Sequence, residues 1–159
     1  MIRIAELADL PQLADLFDQY RVFYRKESDL AGAKDFLKER LEHGDSYIYV
    51  YEEGEELAGF VQLYPIFSST RMRRLWLLND LYVAPAHRGK GLSLLLLDAG
   101  KQLCRNTDAC GVLLETEKVI CLKTVPGLTF SNCMRLLTKS KLEPWIKLRE
   151  QIFPDKSYF

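Results

Sequence analysis

Apolar residues recur at helical spacing in three stretches of the chain and at strand-like density in five others. Residues 2–5 alternate briefly and read as a first or edge strand. Asp9 and Pro11 then open a helix whose apolar face is Leu13, Leu16, Phe17 and Tyr20, because Asp caps well and Pro is tolerated in the first turn. A polar break at residues 26–29 separates it from a second helix, capped by Ser28 or Asp29, with Leu30, Ala33, Phe36, Leu37 and Leu41 on one side and Gly44 as its stop. Two β-branched and aromatic runs, 46–51 and 57–67, are joined through residues 52–56 as a hairpin, and Ser68, Ser69 and Thr70 turn the chain into a long apolar strand over 75–83. Leu92, Leu95, Leu96, Ala99 and Leu103 predict a third helix, followed by a short strand over 111–115.

This order implies an α/β fold. The three strands before the third helix form an antiparallel meander. A helix between two strands requires a right-handed crossover, so the strands that flank it pair in parallel. At 159 residues the chain has room for one domain with a sizeable core.

Composition narrows the function. The 22 basic and 22 acidic residues balance, which gives no general affinity for nucleic acid or an anionic membrane. The chain carries neither an apolar run of membrane-spanning length nor a signal-like start, so a cytoplasmic protein is expected. Four cysteines without a CxxC pair read as reduced thiols, and two distant histidines give no support to a metal site.

The chemistry lies between the long strand and the third helix, in the turn Arg88-Gly89-Lys90-Gly91-Leu92-Ser93. Glycines there leave backbone N–H groups open to an anion, the positive end of the helix dipole points at the same place, and Arg88 and Lys90 add charge. A phosphate or pyrophosphate is the expected guest. The spacing is not that of a P-loop, and Leu94 stands where a dinucleotide-binding turn needs its third glycine. A dinucleotide fold with Glu115 on the ribose is therefore a weaker reading, opposed also by the antiparallel meander.

Arg88, Gly91 and Ser93, preceded by Leu78-Asn79-Asp80-Leu81-Tyr82-Val83 and Pro85, resemble the acyl-CoA loop of the GNAT superfamily of N-acetyltransferases, with the polyamine-type enzymes nearest. The resemblance covers residues 1–118. It implies the GNAT fold with a parallel strand pair that splays around the pantetheine arm, and acetyl-CoA as co-substrate. It also implies direct transfer to a primary amine of a polyamine-like or amino-acid-like small molecule. The loop 88–93 would hold the pyrophosphate, and Leu81, Tyr82 and Val83 the pantetheine. The N–H of Leu81 or Val83 would face the thioester oxygen. Asp80 would bind the amine or act as a water-relayed base; its other reading is a solvated strand end. Asn79 cannot accept a proton and would only position a water. Tyr24 and Arg25 are kept as substrate-side residues because the family places its first helices over the acceptor, although Tyr20, Phe23 and Tyr24 read as core from spacing alone. Arg21 and Arg25 would suit an acceptor carboxylate. His87 is expected to be exposed.

From Val119 onward the family pattern is lost. A turn at Val125, Pro126 and Gly127 and two helices over 132–142 and 144–152 are expected. Leu137 stands near the place of the family's proton-donating tyrosine, and Tyr158 is the only tyrosine after Tyr82, so a slow enzyme or a substitute donor is expected. The alternative is a CoA-binding module with weak chemistry. Apolar residues such as Trp145, Ile152 and Phe153 call for a partner, and a homodimer is expected.

Overall fold

A computed structural model describes residues 1–114. Expectations that fall beyond Leu114, among them Leu137, Tyr158 and the dimer contact, lie outside the described residues. The elements are β1 (Ile2–Ile4), α1 (Leu10–Phe23), α2 (Leu30–His43), β2 (Tyr47–Glu53), β3 (Glu56–Ser68), β4 (Arg73–Val83), α3 (Leu92–Asn106) and β5 (Val112–Leu114). The five strands form one mixed sheet in the order β1-β2-β3-β4-β5, antiparallel up to β4 and parallel between β4 and β5. The expected meander and parallel pair are both present.

Two apolar clusters sandwich the sheet. Leu13, Leu16 and Phe17 of α1 and Leu37 of α2 pack on Ile48, Val50 and Phe60, while Leu96 and Leu103 of α3 pack on Val61, Leu63, Trp76 and Leu78. The alternation Ile48/Val50 against Tyr47/Tyr49/Tyr51 is the period of two that sends successive side chains to opposite faces.

Turn chemistry explains where the elements stop. The Asp29 carboxylate accepts the N–H of Gly32 at 2.9 Å, and Gly44 closes α2 in the left-handed conformation with φ 62°. The β2–β3 hairpin turns on Gly54 and Glu55, with φ 69° at Gly54 and Glu53 opposite Glu56. Asp9 does precede α1, but its carboxylate turns away from that helix. It accepts the N–H of Glu6 and binds Arg3, which also reaches Glu52 and so ties β1 to β2.

The two helices that cover the site are joined through Asp18. Its nearly buried carboxylate accepts from Ser28 Oγ at 2.5 Å, the Asp29 N–H at 2.8 Å and Arg21 at 3.1 Å, and these bonds, Ser28 first, hold its pKa below the usual range. A depressed carboxylate pKa stabilises the fold above the unfolded-state value and ceases to do so as pH falls through the folded value. Asp18→Asn is therefore expected to cost about 2 kcal/mol at pH 7. Thermal melts should show the gap from wild type closing below about pH 4.

Candidate active site

One irregularity in β4 creates the site. Gln62 lies opposite Asp80 and Leu63 opposite Leu78, so Asn79 has no residue across from it and forms a β-bulge. An extra residue inverts which side chains face which layer. Before it, Trp76 and Leu78 belong to the α3 cluster; after it, Leu81 and Val83 do, and Tyr82 joins the α1 cluster. Asp80, opposite Gln62, is thereby turned under α1, with 5% of its surface exposed.

Among the described residues Asp80 has no ion-pair partner. Burial raises its pKa, opposed by Asn79, whose Nδ2 lies 3.1 and 3.2 Å from the two carboxylate oxygens, and by the Tyr20 hydroxyl. Tyr20 descends from α1. Its hydroxyl lies in hydrogen-bonding reach of Asp80 and 3.5 Å from the Asn79 carbonyl, and burial together with the Asp80 charge holds its pKa far above the usual value for a phenol. Its ring is set among Phe17, Tyr24, Phe60 and Tyr82, with centroids 4.9 to 6.2 Å away. On the β3 side, burial and then Asp80 push Tyr64 up to about 12. Beside them, Gln62 is fully buried; its Nε2 donates to Ser46 Oγ, and its Oε1 has no partner among the described residues.

The bulge also aims the backbone. Trp76 sends its side chain to the α3 cluster and its N–H to the Gly111 carbonyl, on the β5 side. In a strand of L-residues these two directions go together, so Leu81 and Val83, packed on the same cluster, turn their N–H and C=O groups to the β5 edge as well. The Val83 carbonyl accepts from Arg88 Nε at 3.0 Å. Among the described residues the β4–β5 ladder ends at Leu78 and Leu114, which leaves the Leu81 N–H beyond it. Tyr82 differs from its neighbours: its carbonyl faces β3, where a Cβ on Gly59 would meet it at 2.6 Å. The main-chain role expected for Leu81, Tyr82 and Val83 is thus open to Leu81 and Val83, while Tyr82 contributes its ring, with the Arg88 guanidinium 5.6 Å from its centroid.

The glycine turn follows. Gly89 and Gly91 both take positive φ, 79° and 76°, and a Cβ at either would meet nothing within 4 Å. Gly91 is the cap residue of α3 and offers no side chain to it; among the described residues the amides of 89–93 have no partner. Leu92 anchors the helix start in the core, and Ser93 is half-buried. Uncovered amides at the positive end of a helix dipole are the cradle a pyrophosphate needs. The basic side chains are arranged otherwise than expected. Lys90 Nζ lies 3.0 and 3.2 Å from the Glu53 carboxylate oxygens, and His87, largely covered rather than exposed, places Nδ1 2.6 Å from Glu53 Oε2. Glu53 is held below the usual carboxylate range by Lys90 first and His87 second.

The acceptor side is mixed. Tyr24 stands edge-on to Tyr20, and Arg25 is exposed with φ 62° at the end of α1. Phe23, expected in the core, is 58% exposed. Arg21 is engaged by Asp18. Spacing hid Tyr20, Gln62 and Glu53 as members of the site. A tyrosine near the end of an apolar helix face was the available signal for the first, and none marked the other two.

The chain is similar in sequence and fold to known proteins. Residues 11–119 match the model of the Acetyltransferase (GNAT) family. A Bacillus subtilis (strain 168) protein described as the uncharacterized N-acetyltransferase YhfO is 49% identical over 116 residues, 73% of this chain and 78% of that protein. The crystal structure of a probable acetyltransferase superposes with a TM-score of 0.70 at 40% identity, covering 74% of this chain and 80% of that one. At 15% identity and a TM-score of 0.64, a predicted acetyltransferase from Clostridium acetobutylicum, solved with acetyl-CoA, covers 80% of this chain and 92% of its own and shares the fold.

Proposed function

We propose that this chain, which belongs to the GNAT family of acetyltransferases, transfers the acetyl group of acetyl-CoA directly to a primary amine of a small molecule. The observation that carries the reading is a buried carboxylate, Asp80, with no ion-pair partner among the described residues, at the bulge that turns the main-chain groups of Leu81 and Val83 away from β3. Acetyl-CoA supplies a thioester carbon open to attack by a neutral amine. The amides of residues 89–93 bind its pyrophosphate, and Lys90 meets the same anion by leaving Glu53. The N–H of Leu81 or Val83 donates to the carbonyl oxygen as negative charge develops there, a contact that strengthens toward the transition state.

Asp80 attracts the acceptor as an ammonium, which gives its extra proton to solvent before attack; Asp80 then takes the proton that the nitrogen loses as the amide forms. Its raised pKa brings its basicity nearer to what a general base at neutral pH requires. Asn79 orients the carboxylate. Tyr24 lines the approach, and Arg25 is the group that an amino-acid-like acceptor would use for its carboxylate; a polyamine-like acceptor would have no use for it.

The experiment is a panel of diamines, polyamines and amino acids incubated with acetyl-CoA, read by thiol release and by mass spectrometry of the amide. The reading expects an N-acetylated product for at least one class. Arg25→Ala is expected to weaken only acceptors that carry a carboxylate, by about threefold to tenfold in kcat/KM. No product from any amine would contradict the proposal.

A further inference from the structure

Amine acetylation leaves a thiolate that needs a proton, and Asp80 as base cannot be its first source. We propose that Tyr20 is the acid of the transfer and works with Asp80 as a two-membered proton relay. This rests on the amine-acetylation reading above and adds the group that reading lacks.

The amine nitrogen bonds to the carbonyl carbon and the carbon–sulfur bond breaks. Asp80 takes a proton from the nitrogen, Tyr20 Oη gives its proton to the sulfur, and the proton on Asp80 passes to Tyr20 Oη. One proton has moved from nitrogen to sulfur, an amide and a thiol are formed, and both side chains end as they began.

The surroundings require the two transfers to be coupled. A tyrosinate beside a carboxylate in a desolvated setting is heavily disfavoured, as the high proton affinity of Tyr20 records. Once Asp80 carries the amine's proton it can replace the one Tyr20 releases, so Tyr20 never bears a full charge. No cation among the described residues ion-pairs with Asp80 to relieve that charge in another way. The groups facing the pair are Tyr24 from α1, Tyr64 from β3 and the neutral Asn79 from β4.

Geometry places the relay where it is needed. Asp80 is nearly closed off, whereas Tyr20 is half-buried, so a proton leaving Asp80 toward solvent or ligand meets Tyr20. The hydroxyl stands 3.5 Å from the carbonyl of the bulged Asn79, two residues before Leu81, whose N–H is turned to the β5 side of the strand. Four aromatic neighbours hold the ring, so a phenyl ring can replace it without loss of packing.

Tyr20→Phe tests the relay. It is expected to lower kcat by about 100-fold with the amine KM and the CoA affinity within about twofold. The proton inventory in mixed light and heavy water, curved for wild type, should become linear. Without any turnover, the Asp80 carboxyl carbon, followed by NMR, should titrate at higher pH in Tyr20→Phe, because a hydrogen bond that favours the carboxylate is gone. A kcat within about threefold of wild type would overturn the acid role. An Asp80 titration that does not move would overturn the coupling. Wild type that acetylates no amine would sink the functional reading and the acid role with it, while the titration would still report whether the pair is coupled.

Discussion

Replacing Asp80 by Asn is expected to lower kcat/KM for amine acetylation by about 100-fold or more, with the affinity for CoA within about twofold of wild type. The side chain keeps its size, so the α1 packing over β4 is retained. What disappears is the negative charge at the bulge and the acceptor of the amine's proton. Stability should move the other way. A carboxylate whose pKa the fold raises contributes fully below the unfolded value and loses that contribution as pH rises through the folded one. Asp80→Asn should therefore melt at a higher temperature relative to wild type at pH 8 than at pH 4. A variant with unchanged turnover across a panel of amines would remove Asp80 from the chemistry.

The second large effect is at Gly91. Gly91→Val must hold a β-branched residue at φ 76°, a conformation that such residues almost never adopt, although the added atoms meet nothing. The backbone will relax instead, and the amides of the turn will lose their common aim. Two weakened charge-assisted bonds correspond to about a 100-fold loss of CoA affinity by calorimetry. Gly91 sits at the exposed edge of α3, so the strain of about 1–3 kcal/mol should leave a folded protein with a lower melting temperature. Unaltered affinity in the folded variant would mean that phosphate does not bind this turn.

Much of the frame was legible because it depends on local chemistry. Asp29, Gly44 and Gly54 act within a few residues of themselves, and the leucines of α3 repeat on one face. The two glycines of the turn were likewise readable, since a positive φ is what glycine is for. The bulge was not. Leu75 to Leu78 and Leu81 to Val83 are apolar toward both layers, so no alternation of apolar and polar positions shows that Asn79 is an extra residue, and only the register against β3 reveals it. That single hidden residue decides that Asp80 faces α1 instead of the α3 layer.

The remaining differences are long-range pairings. Glu53 meets Lys90 and His87 across 37 and 34 positions in sequence, so the charge assigned to the turn is partly matched by a hairpin that spacing cannot connect to it. Phe23 is in phase with Leu16 and Tyr20, but it is the last residue of α1 and ends at the surface. Tyr20 shares the apolar face with Phe17, and its ring packs as expected; what spacing could not show is that its hydroxyl reaches the carboxylate of a strand 60 residues later.

The most direct test of the account is a single-turnover reaction with acetyl-CoA labelled in the acetyl group and a primary amine from the panel, with the free thiol, the amide and the protein mass followed together. The account predicts that thiol and labelled amide appear in equal amounts and with the same time course, and that the protein never carries the label. Thiol release without amide, or label found on the protein before the amide, would contradict direct transfer at Asp80.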